Sequence, residues 1–219
     1  DYKVSKLADG NCWMVSNLAL DGGRTLHTSD SNVTQDRTLP ANISNGTASE
    51  YDVAQIYSGN ANSITSTCDL SHPYCIVNNT NKYGNLYNWN AATATVGKKA
   101  TTTDVTESIC PKGWQLPNNT GTRSFNNLMS AYSLPTTNVT NGAAVQKIQQ
   151  TPLNFPLAGL YNNSSLYQGR LSSYWSRSVN AGNFSTAHCL TIDSESGDFY
   201  PQNDHYKRNT FSVRCVYSS

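Results

Sequence analysis

The sequence predicts an α+β fold in which short helices and strands are joined by long, irregular connections. The end of the chain carries the clearest strand pattern, because residues 210–216 alternate and place Phe211, Val213 and Cys215 on one side. A two-residue period of this kind is typical of a strand with one face in a core. Residues 125–132 instead repeat apolar side chains at spacings of three, four and seven, which is the pattern of a helix.

The opening residues 1–20 predict a β-hairpin. Tyr2 and Val4 alternate with polar side chains, and the stretch "ADGN" supplies an Asp-Gly turn signal before the return strand begins at "CWMV". The segment from about residue 21 to 61 is dense in Asp, Ser, Asn, Thr and Gly, and we expect no helix in it.

The middle of the chain predicts a helical turn followed by a loop. The stretch "YGNLYNWNAATA" (83–94) becomes Ala-rich, which favours a short helix near Ala91. Residues 101–117 contain Pro and Gly and predict a tight loop that buries Trp114 and Leu116.

Two short helices and the remaining strands complete the predicted fold. The second helix is "NGAAVQKIQQTP" (141–152), which Pro152 stops because proline lacks the backbone N–H. No linker or sustained repeat interrupts the chain, so we expect one domain over residues 1–219. The predicted strands are "NFPLAGLYN" (154–162), "SYWSRSV" (173–179), "STAHCLTIDS" (185–194) and "TFSVRCVYS" (210–218).

The composition excludes several classes of partner. The formal net charge is +1, only 13% of residues are charged, and no run of Lys or Arg is present, so no nucleic acid is expected. No stretch of about 18 apolar residues occurs, so this domain is not expected to insert into a membrane. The chain also shows no signal peptide, and we expect an export signal or anchor upstream of residue 1.

The cysteines indicate an exported protein. An even number of cysteines in a chain poor in charged residues favours disulfides and an extracellular or cell-surface location. The six cysteines allow about 15 pairings. Cys68 and Cys75 are close in sequence and predict a local disulfide on a loop, whereas a zinc site would need further close pairs. The six are Cys12, Cys68, Cys75, Cys110, Cys189 and Cys215.

Five stretches, taken in order along the chain, carry a resemblance to a bacterial family. They are "YKVSKLADGNCWMVSNLAL", "YGNLYNWNAATA", "ICPKGWQLP", "YWSRS" and "FSVRCV". In this order they resemble the Fibrobacter succinogenes major paralogous domain family, which is similar to a branch of the C-type lectin-like fold. That fold also includes formylglycine-generating enzymes and the variable proteins of diversity-generating retroelements. Residues of about 20–81 depart from the short family form and are expected to be a loop-rich insertion.

The resemblance implies a body in which the first and last strands pair, with two helices nearby and a long looped sheet above. In that arrangement a Cys110–Cys215 disulfide joins the loop before the first helix to the terminal strand. Cys12 and Cys189 then remain as the third pair, beside Cys68–Cys75.

The resemblance also implies a ligand-binding surface at residues 173–209. In the variable proteins of this fold, the diversified segment lies just before a fixed terminal strand and mutates at adenines, so that Asn codons change to Asp, Ser, Tyr, His or Thr. Residues 173–209 have this composition, and the frame beneath them is expected to be Trp175, Leu190, Ile192, Phe211, Val213 and Cys215. The expected ligand contacts are Ser173, Tyr174, Trp175, Ser176, Ser178, Asn180, Asn183, Ser185, His188, Asp193, Ser194, Asp198, Tyr200, Asn203, Asp204, His205 and Tyr206.

Residue chemistry supports the same surface without the resemblance. Tyr offers a large rigid contact area, and Ser, Asn and Asp offer adaptable hydrogen bonds. Residues 200–209 show no period, as expected for side chains that face solvent over a fixed frame. The ligand is unknown, and we expect a protein on another cell in preference to a glycan. Two alternatives stay open: a carbohydrate- or cell-wall-binding module with Trp175 at its border, and a polar loop without a ligand.

We expect no catalytic site, metal or cofactor. The four histidines are isolated in sequence, and neither a Gly-x-Ser-x-Gly elbow nor a Gly-rich phosphate loop is present. The paired loops with which calcium lectins hold their ion are also absent. The enzymatic alternative is a thiol enzyme like the formylglycine-generating branch, using Cys189 and Cys215. The place of Cys215 in a strand pattern favours a structural disulfide instead.

Overall fold

The computed structural model describes most of the chain outside the expected insertion. In this part the sheets are mainly antiparallel and the helices short, which makes the fold α+β, as predicted. None of the helices in the described residues is long and apolar enough to cross a membrane. The described residues are 2–20, 22–39, 42–43, 56–57, 83–94, 103–160, 167–183 and 185–218, with 42–43 and 56–57 described by their backbone.

The elements are numbered in chain order. The helices of the described residues are α1 (Trp89–Ala92), α2 (Phe125–Ala131) and α3 (Gly142–Gln149). The strands are β1 (Val4–Lys6), β2 (Cys12–Met14), β3 (Thr25–Leu26), β4 (Arg37–Thr38), β5 (Asn42–Ile43), β6 (Ile56–Tyr57), β7 (Leu86–Tyr87), β8 (Trp114–Gln115), β9 (Val139–Thr140), β10 (Leu171–Val179), β11 (Thr186–Asp193), β12 (Asp198–Tyr206) and β13 (Val216–Tyr217).

The two ends of the chain meet in one sheet of strand order β1-β2-β13-β8. β1 and β2 form the hairpin that the sequence predicted, and Gly10 in its turn has a φ of 82°, a conformation that glycine adopts without strain. Val216 of β13 pairs with Trp13 of β2, so the last strand is hydrogen-bonded to the second strand of the hairpin. The resemblance implied that the first and last strands pair; the two share one sheet, but β2 lies between β1 and β13.

The long strands form a second sheet of order β10-β11-β12-β9. β10 and β11 occupy the stretches predicted as strands. β12 was not foreseen: residues 200–206 showed no period in the sequence, yet they extend a strand that begins at Asp198. Its pairing with β11 shifts between Cys189 and Thr191, so Phe199 enters the second core while Asn203 and His205 lie on the side of the first core, and the apolar alternation is lost at this β-bulge.

The helices begin where the sequence places capping residues. Asn88, Ser124 and Asn141 each accept a hydrogen bond from a backbone N–H in the first turn of the helix that follows. The predicted helices near Ala91 and at residues 125–132 and 141–152 are thus confirmed. The last of them ends at Gln149, three residues before Pro152.

Gly84 lets the segment before α1 approach the N-terminal hairpin closely. Its φ is 72°, and a Cβ built on it would lie 2.5 Å from the carbonyl oxygen of Leu18. The adjacent backbone N–H of Asn85 donates to that same oxygen at 3.0 Å. A larger residue at position 84 is excluded both by space and by conformation.

Buried apolar side chains form two clusters. The first core includes Met14, Leu18, Leu26, Tyr87, Trp89, Ile109, Cys110, Leu116, Trp175, Cys189, Phe211, Val213 and Cys215. The second core includes Leu7, Trp13, Phe125, Leu128, Met129, Val145, Ile148, Phe155, Tyr174, Leu190, Ile192, Phe199 and Val216. Neighbouring residues of one strand thus enter different cores, as Trp13 and Met14 do.

The terminal segment lies between these two cores. Phe211, Val213 and Cys215 enter the first core, while Val216 enters the second and Arg214 places its guanidinium 4.3 Å from the ring centre of Phe155. The prediction of a strand with a single buried face is therefore wrong. Residues 211–216 are buried on both sides, and only residues 216–217 at the end of the predicted strand form a regular strand.

Two other sequence predictions are also corrected. The described part of the expected strand at 154–162 is irregular and makes one isolated bridge, between Gly159 and Ser172, because its polar backbone groups bond to α3 and to neighbouring loops. Leu116 is fully buried as expected, but Trp114 is only partly buried and packs edge-on against exposed Tyr217 at 5.6 Å.

Arg214 is a buried cation held by one side-chain amide oxygen and by carbonyl oxygens of the main chain. Its Nε donates to Asn17 Oδ1 at 2.7 Å, one Nη donates to the carbonyl of Leu153 at 2.8 Å, and the other donates to the carbonyl of Asn154. Burial lowers the pKa of Arg214 to about 10, so the side chain remains charged at neutral pH. One side chain therefore fastens the terminal segment to the N-terminal hairpin and to residues 153–155.

The Cys110–Cys215 disulfide is present, as expected, and closes a sequence separation of 105 residues. The expected Cys12–Cys189 pair is wrong: both are free thiols, with Cys12 exposed on β2 and Cys189 buried in the first core. The two positions lie in different sheets, which sequence spacing does not reveal. The expected Cys68–Cys75 disulfide lies outside the described residues.

We predict that Arg214→Ala lowers the free energy of unfolding by about 3 kcal/mol or more, because it leaves buried carbonyl and amide oxygens without donors. Arg214→Lys should lose less, since it keeps a cation near Phe155 but not the forked donor geometry. Denaturant unfolding measures both values, and Arg24→Ala, at an exposed arginine, is the matched control. A loss below about 1 kcal/mol for Arg214→Ala would contradict the structural role.

We predict that Cys110→Ser combined with Cys215→Ser lowers the free energy of unfolding by up to about 4–5 kcal/mol, because the open loop regains chain entropy in the unfolded state. Cys12→Ser serves as the control, since that thiol is exposed and unpaired, and should leave stability unchanged. Guanidinium melts of the three proteins make the comparison, and equal midpoints would contradict the prediction.

Candidate ligand-binding surface

The structure divides the predicted surface at 173–209 into a buried strand and an exposed one. β10 carries the buried part: Ser173, Tyr174, Trp175 and Ser176 have no exposed area, and Ser178 is 6% exposed. These five residues cannot contact a ligand in this conformation. Their assignment as surface residues is corrected, because β10 lies between the two cores rather than over them.

The two aromatic residues of β10 are held firmly inside. Trp175 stacks on Phe211 with ring centres 4.2 Å apart, and its indole N–H donates to the carbonyl of Tyr87 at 2.7 Å. The Tyr174 hydroxyl donates to the carbonyl of Pro156, and burial raises the pKa of Tyr174. Trp175 therefore belongs to the frame, as expected in part, and not to a sugar-binding border.

The serines of β10 hold an irregularity in the sheet. Between Trp175 and Val179 the pairing with β11 shifts, so that β10 contains extra residues. The Ser176 hydroxyl donates to the carbonyl of His188 at 2.9 Å, and the Ser178 hydroxyl donates to the carboxylate of Asp104 at 2.9 Å. These hydroxyls are used inside the protein, which the serine-rich composition did not show.

The exposed part forms what we call the hairpin-end surface: Asn180, Asn183, His188, Asp204 and Tyr206. It lies at the turn between β10 and β11 and at the end of β12. Asn183, Asp204 and Tyr206 are exposed, and the other two are half-buried. His188 lies directly opposite Asp204 in the β11–β12 pairing, and the Asn180 amide donates to the Asp204 carboxylate at 2.9 Å.

Arg208 supports this surface and was missed by the sequence analysis. Its guanidinium lies 4.7 Å from the ring centre of Tyr206, which is 50% exposed. A cation over the ring restricts the tyrosine and leaves its other face to solvent. The sequence shows only two residues close together, and no pattern distinguishes such a pair from unrelated surface residues.

A second group of predicted residues lies at the other end of the same strands. Asp193, Ser194, Asp198 and Tyr200 flank the turn between β11 and β12, so a strand length of about 20 Å separates them from the hairpin-end surface. Asp193 accepts backbone N–H groups of the turn, and Asp198 accepts the Thr140 hydroxyl at 3.0 Å. Hydrogen bonds from Ser196 and Thr140 lower the pKa of Asp198. This group therefore shapes the turn and is not brought together with the first.

Asn203 and His205 point towards the first core from β12. The Asn203 amide nitrogen lies 3.2 Å from Thr191 Oγ1 and 3.1 Å from His205 Nε2, and the His205 ring packs edge-on against Phe211 at 5.3 Å. Burial lowers the pKa of His205, with Asp204 acting in the opposite direction. Ser185 is half-buried, and its carbonyl accepts the backbone N–H of Lys207. These residues connect the surface to its frame.

The described residues around this surface hold neither a metal-binding cluster nor a thiol poised for reaction. Within the described part of the chain, no three His, Cys, Asp or Glu side chains converge to hold a metal ion. Cys189 lies beside Asn203 in the strand pairing, but burial raises the pKa of its thiol to about 12. A thiolate at neutral pH is therefore strongly disfavoured at this position.

Comparison with known proteins gives one match. The Fibrobacter succinogenes major domain matches residues 8–217, which is nearly the whole chain. No curated protein and no solved structure matches this chain.

We predict that His205 and His27 titrate on opposite sides of the ordinary histidine pKa. Burial lowers the pKa of His205, whereas the hydrogen bond that exposed His27 donates to the Asp36 carboxylate raises the pKa of His27. NMR titration of the imidazole signals checks this order, and His205→Gln and His27→Gln assign the signals. Reversal of the order would contradict the structure.

The same shift predicts a loss of stability in acid. The unfolded chain protonates His205 more readily than the folded protein, so the stability present near neutral pH falls as pH drops below the ordinary histidine pKa. Urea midpoints at roughly pH 7 and pH 5 should differ less in His205→Gln than in the unaltered protein. An unchanged difference would mean that His205 is not buried in solution.

Proposed function

This chain belongs to the Fibrobacter succinogenes major domain family, and we propose that it is an exported, non-catalytic ligand-binding domain, of receptor-recognition or adhesin type. The hairpin-end surface is the proposed binding site. One observation carries the proposal: the polar and aromatic side chains of this surface are open to solvent, while the adjoining β10 is fixed between two cores.

The chemistry of this surface suits recognition. Tyr206 offers an exposed ring held by Arg208, and Asn180, His188 and Asp204 offer donors and acceptors beside it. A rigid aromatic surrounded by adaptable polar groups is typical of binding loops in antibodies. Substitution of such exposed side chains changes folding stability by less than about 0.5 kcal/mol in general, so the surface is free to vary.

The finer fold assignment is part of this proposal. We propose a C-type lectin-like arrangement with a loop-rich insertion at about residues 20–81. Its support is the pairing of the last strand with the N-terminal hairpin, the two helices α2 and α3 against the second core, and the long-stranded sheet beside them. The disulfide is typical of an oxidising compartment, which supports a location outside the cell or on its surface.

The favoured ligand is a protein, because the site is open rather than enclosed. A specific protein interface buries about 800 Å² on each partner, which exceeds five side chains, so the partner must also cover residues around the hairpin-end surface. The alternative is a carbohydrate- or cell-wall-binding module at the same place. Tyr206 would then stack on the sugar in place of Trp175, with Asp204 and Asn180 bonding its hydroxyl groups.

Thiol catalysis has weaker support than binding. The formylglycine-generating alternative needs a reactive thiol pair, but Cys215 is joined to Cys110 and the pKa of Cys189 is about 12. Alkylation of the native protein followed by intact-mass measurement tests this alternative. Rapid modification of Cys189 at neutral pH would favour the enzyme, and modification of Cys12 alone would favour the binding domain.

We predict that Tyr206→Ala combined with Asp204→Ala abolishes ligand binding without changing the thermal midpoint, because both side chains face solvent. Tyr217→Ala is the matched control, since Tyr217 is similarly exposed on the other sheet. Labelled protein is applied to an array of purified bacterial surface proteins and to a glycan array. Specific protein signals lost only in the double variant support the proposal, glycan signals with the same loss support the sugar alternative, and equal loss in the control contradicts both.

We also predict where diversification occurs if it operates on this chain. Adenine-directed changes among closely related copies of the gene should fall on codons of exposed residues such as Asn183, Asp204 and Tyr206. Codons 173–176 and 178 should stay constant, because their side chains are buried. Sequencing of such copies, with a search for a neighbouring reverse transcriptase gene, checks this. Frequent change at Trp175 would contradict it.

A further inference from the structure

A pocket of about 450 Å³ lies apart from the hairpin-end surface. It opens between the end of the N-terminal hairpin, the loop around β3 and the residue that follows Cys110. No residue of the hairpin-end surface lines it. The lining residues are Tyr2, Leu18, Leu20, Arg24, Asp30, Ser31 and Pro111.

Hydrogen bonds fix the apolar residues that line the pocket. Leu18 is fully buried and its N–H donates to the carbonyl of Val213 at 2.9 Å. The backbone N–H and carbonyl of Leu20 both bond to the hydroxyl of Tyr87, and the hydroxyl of Tyr2 accepts the N–H of Ala19. These residues are therefore held in place before a ligand binds, which lowers the entropic cost of binding.

The disulfide fixes the part of the lining that Ser31 and Pro111 form. Pro111 follows Cys110, which is bonded to Cys215 in the first core. Ser31 forms a backbone bridge with Pro111, and the N–H of Asn32 donates to the carbonyl of Cys110 at 2.8 Å. The loop that carries Asp30 and Ser31 is thus attached to one of the most constrained points of the chain.

Two side chains of opposite charge, Arg24 and Asp30, line the pocket. The Arg24 guanidinium forms no hydrogen bond or ion pair with the described residues, and Arg24 is exposed. Asp30 accepts the Ser31 hydroxyl with one carboxylate oxygen at 2.9 Å, and the other oxygen has no hydrogen-bond donor within the described part of the chain. The two side chains do not pair with each other, so each is available to a ligand group of opposite charge.

We propose that this pocket binds a zwitterionic ligand of about dipeptide size with apolar side chains. Arg24 receives the carboxylate, Asp30 and Ser31 receive the ammonium group, and Leu20, Pro111 and Tyr2 contact the apolar body. The volume lies within the range of about 300–1,000 Å³ that small-molecule sites occupy. Charges of both signs beside apolar side chains disfavour neutral sugars, which bring no charge to Arg24 and Asp30, and purely apolar ligands, which leave both charges unused.

Titration with the dipeptide leucyl-leucine tests this site. The open shape of the pocket and the usual free energy per atom of small ligands lead us to expect a Kd of about 0.1–1 mM by calorimetry. Arg24→Gln and Asp30→Asn should each weaken binding about threefold or more, and the double variant about tenfold or more. Lys6→Gln, at an exposed lysine on β1, is the control and should bind like the unaltered protein.

Two further measurements locate the ligand and its charges. Amide NMR shifts should move at Leu18, Leu20 and Ser31, and N-acetyl-leucyl-leucine amide, which lacks both charges, should bind at least about tenfold more weakly. No binding at about 10 mM, equal affinity in the double variant and the control, or equal affinity for the neutral analogue would each overturn the proposal. Tighter binding of a neutral disaccharide would overturn it in favour of a sugar site.

Discussion

The architecture depends on a cation buried between two hydrophobic cores. Arg214 brings its guanidinium against Phe155 and donates to Asn17 and to the carbonyls of Leu153 and Asn154. The cost of removing a charge from water is offset only when such acceptors are all in place. The hairpin at one end of the chain, the segment after α3 and the terminal segment are therefore positioned together, and the disulfide to Cys110 secures the last of them.

The terminal segment that Arg214 holds in place also supports the candidate site. Residues next to Arg214 in the terminal segment support Trp175 through Phe211, and the same ring contacts His205 below the hairpin-end surface. Asp204 and Tyr206, one residue to either side of His205, point to solvent and contribute little to this framework. A strand with one side anchored and the other free can change its outer side chains without loss of the fold.

Composition pointed to one segment as the candidate site but did not separate its exposed residues from its buried ones. Ser176 and Ser178 share their polar character with Asn183 and Asp204, yet the serines bond within the frame while the other two are exposed. A short hydroxyl is equally suited to a buried carbonyl and to water, so residue type alone does not separate the two situations. In β12 a β-bulge interrupts the alternation, and the residues beyond it on the side of the first core, Asn203 and His205, are polar, so the sequence shows no strand period.

The sequence by itself determined the local elements: the Asp-Gly hairpin, the capped helices α2 and α3, the strands β10 and β11, and the family resemblance that pointed to paired termini and Cys110–Cys215. These depend on neighbours within a few residues or on a whole pattern of motifs. Only the tertiary structure decided that residues 211–216 are buried on both sides, that Cys12 and Cys189 stay apart, and that β10 is interior. Periodicity shows which side chains share a face, but what covers that face depends on residues distant in the chain.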